Sequence, residues 1–193
     1  MYSMRVRSLV ILGVLVACAC ATAPHGAVGA IASGSDAEVR AGMGALRDAT
    51  RRFQSVDSAV AAGYPRDVPA CLVHEHHGAM GYHHSNPALA DAKVDIGHPE
   101  ILLYERMPNG DYRLNGVEFI VPYRAWPRDS VPPTVMGQQL KHEDNLKIWY
   151  LHAWAWRSNP NGVFADFHPD VQCPASARRV FTPYAAPPKQ GEF

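Results

Sequence analysis

The side chains of this chain that could do chemistry concentrate at residues 74–84, which read HEHHGAMGYHH and hold five of its ten histidines. Imidazole is neutral near physiological pH and is the commonest ligand for zinc, copper and non-haem iron. His74 and His76 share a face if the segment is extended, and the glycine-containing turn that follows lets His83 and His84 fold back. Histidines that converge with one carboxylate form an open metal site, but the same composition also fits a solvated loop without a function.

Two ionisable residues outside this segment are expected inside a sheet. Strict alternation along residues 112–121 puts Leu114, Gly116, Glu118 and Ile120 on one face, and both faces of the segment are largely apolar. Glu118 is therefore predicted to be buried, where a carboxylate needs a partner or a proton. His152 shares its face with the aromatic residues Tyr150, Trp154 and Trp156.

Ordinary structural roles remain open for both residues. Glu118 could pair with Arg106 or Arg113, and His152 could donate to a backbone carbonyl, because most buried polar groups are simply satisfied ones. A weaker constellation is Asp166 with His168, two residues apart, but Pro169 favours a loop there.

The elements that must position these side chains are strands preceded by a helix. Residues 100–107 and 112–121 are apolar runs joined by Pro-Asn-Gly-Asp, a strong hairpin signal, and residues 147–156 form a third strand pattern. Ser35 and Glu38 fit a capping box that begins a helix, followed by a shorter helical piece at about 56–62. We predict an α+β fold in which the N-terminal helix packs on a curved or partly closed antiparallel β-sheet, with many loops.

The N-terminus has the features of an export signal. Residues 1–17 contain two arginines and then an apolar run, as in a secretory signal peptide, and Leu15-Val16-Ala17-Cys18 is typical of a bacterial lipobox that would lipidate Cys18. Residues 18–34 are then a flexible tether, 35–181 a single globular domain and 182–193 a disordered tail. We expect a protein anchored to the cell envelope membrane by lipid. Ordinary A-x-A cleavage, which would release a soluble secreted protein, is the alternative.

Cysteine use and charge narrow the possibilities further. Cys71 and Cys173 are the cysteines of the globular part, and in an oxidising compartment they are expected to form a disulfide; two free thiols, or a zinc site that uses Cys71, are the alternatives. The formal net charge is zero, which argues against a nucleic-acid partner. The sequence has no G-x-S-x-G elbow, P-loop, dinucleotide fingerprint or C-x-x-C-H haem motif.

Several short motifs occur together between residues 70 and 173. They are M-G-Y-H-H-S-N-P at 80–87, L-L-Y at 102–104, V-E-F-I-V-P at 117–122, and L-H-A-W-A-W with N-P-N-G-V-F at 151–164. As a set they resemble a group of uncharacterised exported bacterial proteins. The resemblance implies no activity, but it places His83, Glu118 and His152 on the shared pattern. The remaining histidines of residues 74–84 depart from it.

We therefore predict a divalent transition metal site, for zinc, copper or iron, with His83, Glu118 and His152 as ligands and His76 and His84 as auxiliary ligands. One alternative is a lipoprotein that binds a small molecule or a partner without metal, in a pocket lined by the aromatic residues Trp149, Tyr150, Trp154 and Trp156. Another is a metal-independent hydrolase that uses a His–Glu pair. Whether the protein is an enzyme is left open.

Overall fold

The computed structural model describes residues 35–181. The predictions for residues 1–17, 18–34 and 182–193, including lipidation of Cys18, lie outside this range. Among the described residues, no helix has the length and apolar character needed to cross a membrane.

The helical part begins where the capping box predicts. Helix α1 spans Asp36–Thr50, and the Ser35 side chain accepts a hydrogen bond from the Glu38 backbone N–H at 3.3 Å. A 3-10 turn at Arg51–Gln54 then leads to α2, Val56–Ala61. The apolar face of these helices, which includes Leu46, is buried against the sheet.

The sheet has seven strands in the order β7-β8-β4-β3-β2-β1-β9 and is curled into a half-barrel. Its strands, numbered along the chain, are β1 Cys71–His74, β2 Gly78–Ser85, β3 Ile101–Arg106, β4 Tyr112–Pro122, β7 Lys141–Glu143, β8 Ile148–Ala153 and β9 Arg178–Val180. A small separate ribbon pairs β5 Thr134–Val135 with β6 Gln138–Gln139. The predicted α+β class, the curled sheet and the β3–β4 hairpin are confirmed. The sheet is mixed rather than wholly antiparallel, because β9 pairs parallel with β1.

The two faces of the sheet differ. The helices cover one face, where Leu102, Tyr104, Val117 and Phe119 join the main core, and the Tyr104 hydroxyl donates to the Phe53 carbonyl. Since successive side chains on a strand point to opposite faces, Glu118 points away from the helices. The sheet therefore presents Glu118 on the face that the helices leave uncovered.

One strand departs from strict alternation. Leu103 lies opposite Gly116 but Tyr104 lies opposite Leu114, so Asn115 is the extra residue of a β-bulge. The bulge puts Leu114 on the helix face with Val117. The prediction that Leu114 shares a face with Glu118 is therefore wrong, because it assumed an unbroken period of two.

The predicted disulfide is present. Cys71, at the start of β1, is bonded to Cys173, with 5.6 Å between the two Cα atoms and a separation of 102 residues along the chain. The bond links the long segment that follows β8 to β1, which lies near the other edge of the sheet.

Candidate metal centre

Three side chains from three strands meet on the uncovered face. His83 comes from β2, Glu118 from β4 and His152 from β8, and Glu118 lies directly opposite His152 in the β4–β8 register. The Glu118 Oε2 atom is 3.4 Å from Nε2 of His83 and 3.8 Å from Nε2 of His152. The three candidate ligand atoms all lie within 4.8 Å of one another, so this group could hold a metal ion.

The ring of His83 is oriented by the backbone of its own strand. Its Nδ1 lies 3.3 Å from the Gly81 carbonyl oxygen. Because a carbonyl oxygen can only accept, Nδ1 carries the hydrogen and the lone pair of Nε2 faces Glu118. Gly81 has a φ of +99°, and a Cβ there would lie 2.5 Å from the Tyr104 carbonyl oxygen. This position therefore requires glycine.

The ring of His152 is oriented by a carboxylate. Its Nδ1 lies 3.4 Å from Oδ1 of Asp166, which leaves the lone pair of Nε2 directed at Glu118. That Nε2 atom is buried and has no hydrogen-bond partner within residues 35–181. Asp166 is held in turn by Lys141 Nζ at 2.6 Å and by the Tyr150 hydroxyl at 3.4 Å. Metal-ligating histidines commonly donate their other ring N–H to a carboxylate in this way.

The loop that carries Asp166 is fixed on both sides of that residue. The Trp154 indole N–H donates to the Ala165 carbonyl at 2.6 Å, and the Asn159 amide donates to the Phe167 carbonyl at 3.0 Å. His168 exchanges both backbone hydrogen bonds with Ala79 of β2. These contacts, with the disulfide beyond them, place the Asp166 carboxylate against His152.

Burial dominates the electrostatics of the cluster. The side chains of His83, Glu118 and His152 are 15%, 8% and 1% exposed. Burial lowers the pKa of His83 to about 3, and the nearby His152 acts in the same direction. Burial also raises the pKa of Glu118. The imidazole of His83 is therefore neutral, while a charged Glu118 carboxylate needs a cation beside it.

Asp166 behaves differently from Glu118. Burial is the largest single influence on its pKa and would raise it, but the hydrogen bond from His152 and the Lys141 ammonium together lower it to about 2. Asp166 is thus ionised at physiological pH and forms an ion pair with Lys141. Glu118 has no such partner: no Lys or Arg nitrogen of the described residues lies within 4 Å of its carboxylate.

The two predicted auxiliary ligands lie elsewhere. His84 points to the helix side of the sheet, where its Nδ1 lies 2.7 Å from the Pro65 carbonyl and its ring contacts Tyr104. His76 lies in the exposed turn between β1 and β2. The structure brings neither to the cluster, because adjacent residues on a strand face opposite ways and the turn lies beyond the strand end.

The four aromatic residues predicted to line one pocket also lie in different parts of the structure. Trp149 and Trp156 pack in the helix-side core, and Trp154 belongs to a second small core cluster. Of the four predicted residues, Tyr150 alone lines the pocket beside the histidines.

A pocket of about 220 Å³ opens over the cluster. His83, Glu118 and His152 line it together with nine other residues: Leu72, Met80, Ser85, Ile101, Glu143, Leu146, Ile148, Tyr150 and Phe181. The cluster is therefore accessible from one side and enclosed by the sheet on the other.

Sequence reasoning gave Asp166 no role beside His152. The only sequence signal was the position of Asp166 two residues before His168. Pro169, which follows, indicated a loop with no connection to His152. The contact that orients His83 is made by the backbone carbonyl of Gly81, and a backbone contact leaves no pattern of side chains in the sequence.

Comparison with protein-family models, curated proteins and solved structures found no match. Fold and site alone therefore define the class: an α+β domain with a two-histidine, one-carboxylate cluster on a curled sheet.

Proposed function

We propose that this domain binds one divalent transition metal ion through His83, Glu118 and His152. The observation that carries the proposal is the convergence of two imidazole lone pairs, each oriented by a hydrogen bond on its Nδ1, on one buried carboxylate. Ligand atoms that share an ion at about 2.0–2.2 Å must lie no more than about 4 Å apart. Both His–Glu separations meet this condition, and all three ligand atoms lie within 4.8 Å of one another.

A metal-independent acid–base pair fits these residues less well. Such a pair needs one short hydrogen bond between histidine and carboxylate, whereas each imidazole here uses its N–H on another acceptor and turns a lone pair toward Glu118. Lone pairs facing a carboxylate repel it unless a proton or cation lies between them. A divalent ion held between the three groups would accept both lone pairs and compensate the Glu118 charge.

The donor set of two imidazoles and one carboxylate is shared by non-haem iron(II) sites and catalytic zinc sites. An ion held there would supply Lewis acidity toward an oxygen atom of a ligand in the pocket. The chain itself contributes the orientation of both rings, the Asp166 carboxylate behind His152, and apolar walls that limit access of water.

The test is metal stoichiometry in purified, chelator-washed protein after equilibration with zinc, copper or iron(II), measured by elemental analysis and thermal denaturation. We expect one ion per chain and a raised melting temperature, with both effects lost in H83A, E118Q and H152A. The matched control is the triple variant H74A/H76A/H77A, which removes the exposed histidine-rich turn and should keep its metal. Metal that is lost only in the triple variant, or wild-type protein that binds none, contradicts the proposal.

We also propose that the domain is exported and tethered to the cell envelope membrane through lipidated Cys18. The support is the lipobox sequence together with the Cys71–Cys173 disulfide, since structural disulfides are typical of oxidising compartments. Metabolic labelling with a fatty acid tests it: label should enter the wild type and be absent from C18A. Unlabelled wild-type protein in the culture supernatant would instead support simple secretion.

A further inference from the structure

The pocket over the centre has ionisable side chains at both ends. His152, Tyr150 and Ile148 follow one another along the pocket face of β8, and Glu143 of β7 lies opposite Ile148. At about 3.3 Å per residue, the His152 and Ile148 positions are ~13 Å apart along the strand. The metal ligands therefore occupy one end of the pocket and the Glu143 carboxylate the other.

Glu143 is a buried carboxylate without a cation. It is 7% exposed, and its Oε1 accepts the Asn145 backbone N–H at 2.9 Å. None of the described lysines, arginines and histidines places a nitrogen within 4 Å of it. A buried carboxylate with an uncommitted oxygen at the wall of a pocket is a recognition group for an ammonium or another donor.

The opposite end carries the opposite charge once an ion is bound. A divalent cation and the Glu118 carboxylate leave one net positive charge, and the Asp166–Lys141 ion pair nearby is neutral. Between the ends the walls are apolar, with Leu72, Met80 and other aliphatic side chains. The volume of about 220 Å³ is below the range of about 300–1,000 Å³ typical of drug-sized ligands.

We propose that the pocket binds a short linear molecule with an oxygen anion at one end, an ammonium at the other and an apolar chain between, of the ω-amino carboxylate class. Its carboxylate completes the coordination of the ion, its ammonium donates to Glu143, and its methylenes contact the aliphatic walls. This assignment rests on the metal site proposed above.

The test uses the zinc-loaded protein and isothermal titration with 4-aminobutanoate, 6-aminohexanoate, hexanoate and hexylamine. 6-Aminohexanoate should bind at least about tenfold more tightly than hexanoate, since a hydrogen bond to a charged group is worth at least about that factor. It should also bind more tightly than 4-aminobutanoate, because each added methylene buried in the pocket gives about fourfold. Hexylamine, which lacks the carboxylate, should bind more weakly than 6-aminohexanoate.

The variant Glu143→Gln isolates the ammonium contact. The amide side chain of this variant keeps an oxygen for the Asn145 N–H, so the fold and the zinc content should be unchanged. Affinity for 6-aminohexanoate should fall about tenfold and affinity for hexanoate should stay the same. Glu75→Gln, the same change at an exposed glutamate of the β1–β2 turn, is the matched control and should change neither.

The outcomes separate this inference from the metal site. If the wild type retains no zinc, both proposals fall. If zinc is retained but 6-aminohexanoate and hexanoate bind equally, or E143Q binds both as the wild type does, the ligand assignment is overturned while the metal site stands. An equal loss of affinity in E75Q would also overturn it, because the effect would then be general charge and not contact with Glu143.

Discussion

Removal of the Asp166 side chain should weaken metal binding without removing a ligand. In the variant Asp166→Ala, the Nδ1 atom of His152 loses its only acceptor among the described residues, 3.4 Å away. The imidazole is then free to exchange its two tautomers, and in one of them Nε2 carries a hydrogen and cannot bind an ion. Zinc stoichiometry should remain one per chain, while affinity falls.

The size of the loss follows from the contacts of Asp166. Loss of a carboxylate that orients a ligating histidine typically costs about 10–100-fold in metal affinity. Here the contact to His152 is long, and Lys141 already compensates the Asp166 charge at 2.6 Å. We therefore expect the lower end, about tenfold or ~1.4 kcal/mol, in a competition titration against a chromogenic zinc chelator.

Two further variants make the interpretation specific. Asp166→Asn keeps an oxygen that can accept the His152 N–H and should recover most of the affinity, and ¹⁵N-histidine NMR should show the Nδ1–H tautomer in D166N but a mixture in D166A. Asp144→Ala is the matched control, since Asp144 also contacts a histidine, a tyrosine and a cation but does not line the pocket. Unchanged zinc affinity in D166A, or an equal loss in D144A, would refute the reasoning.

Three further predictions concern stability. The double variant C71A/C173A opens a crosslink across 102 residues and should lose about 4 kcal/mol in urea unfolding. Burial raises the pKa of Glu100 from 4.5 to about 7. The stability that protonated Glu100 contributes is therefore fully present below pH 4.5 and is lost as pH rises through 7. E100Q should therefore gain about 3 kcal/mol relative to wild type between about pH 5 and pH 8, measured by urea unfolding at each pH. G116A puts a Cβ against the Ala153 carbonyl oxygen of β8 and should cost at least about 1–3 kcal/mol, whereas G44A meets open space on α1 and should stabilise by about 0.5–1 kcal/mol.

Sequence periodicity is a good guide where backbone regularity decides the outcome. The capping residues of α1, the Asn-Gly hairpin and the phase of Glu118 and His152 all depend on local geometry that repeats every 3.6 or 2 residues. In β4 the face predicted for Glu118 is correct, although the face predicted for Leu114 is not. The bulge at Asn115 lies between them, so the regular count holds only on the Glu118 side.

What sequence could not supply are contacts made after the strands assemble. Asp166 reaches His152 because a loop crosses the sheet and forms backbone hydrogen bonds with Ala79. The parallel pairing of β9 with β1 brings together positions that are about a hundred residues apart in the chain. Such partners depend on the three-dimensional course of the chain, and a single sequence carries no periodic signal for them.

The density of histidine in residues 74–84 is a poor measure of where an ion binds. In the exposed turn, Nδ1 of His74 accepts the backbone N–H of His76 at 3.1 Å, so that lone pair is already used. At the cluster the arrangement is reversed: the Nδ1 atoms of His83 and His152 donate, and their Nε2 lone pairs converge on one carboxylate. Because these rings are already oriented before binding, their side chains lose less conformational entropy when the ion binds. One histidine in a strand with a fixed tautomer is therefore expected to contribute more affinity than several in a turn, which the comparison of H83A with H74A/H76A/H77A measures directly.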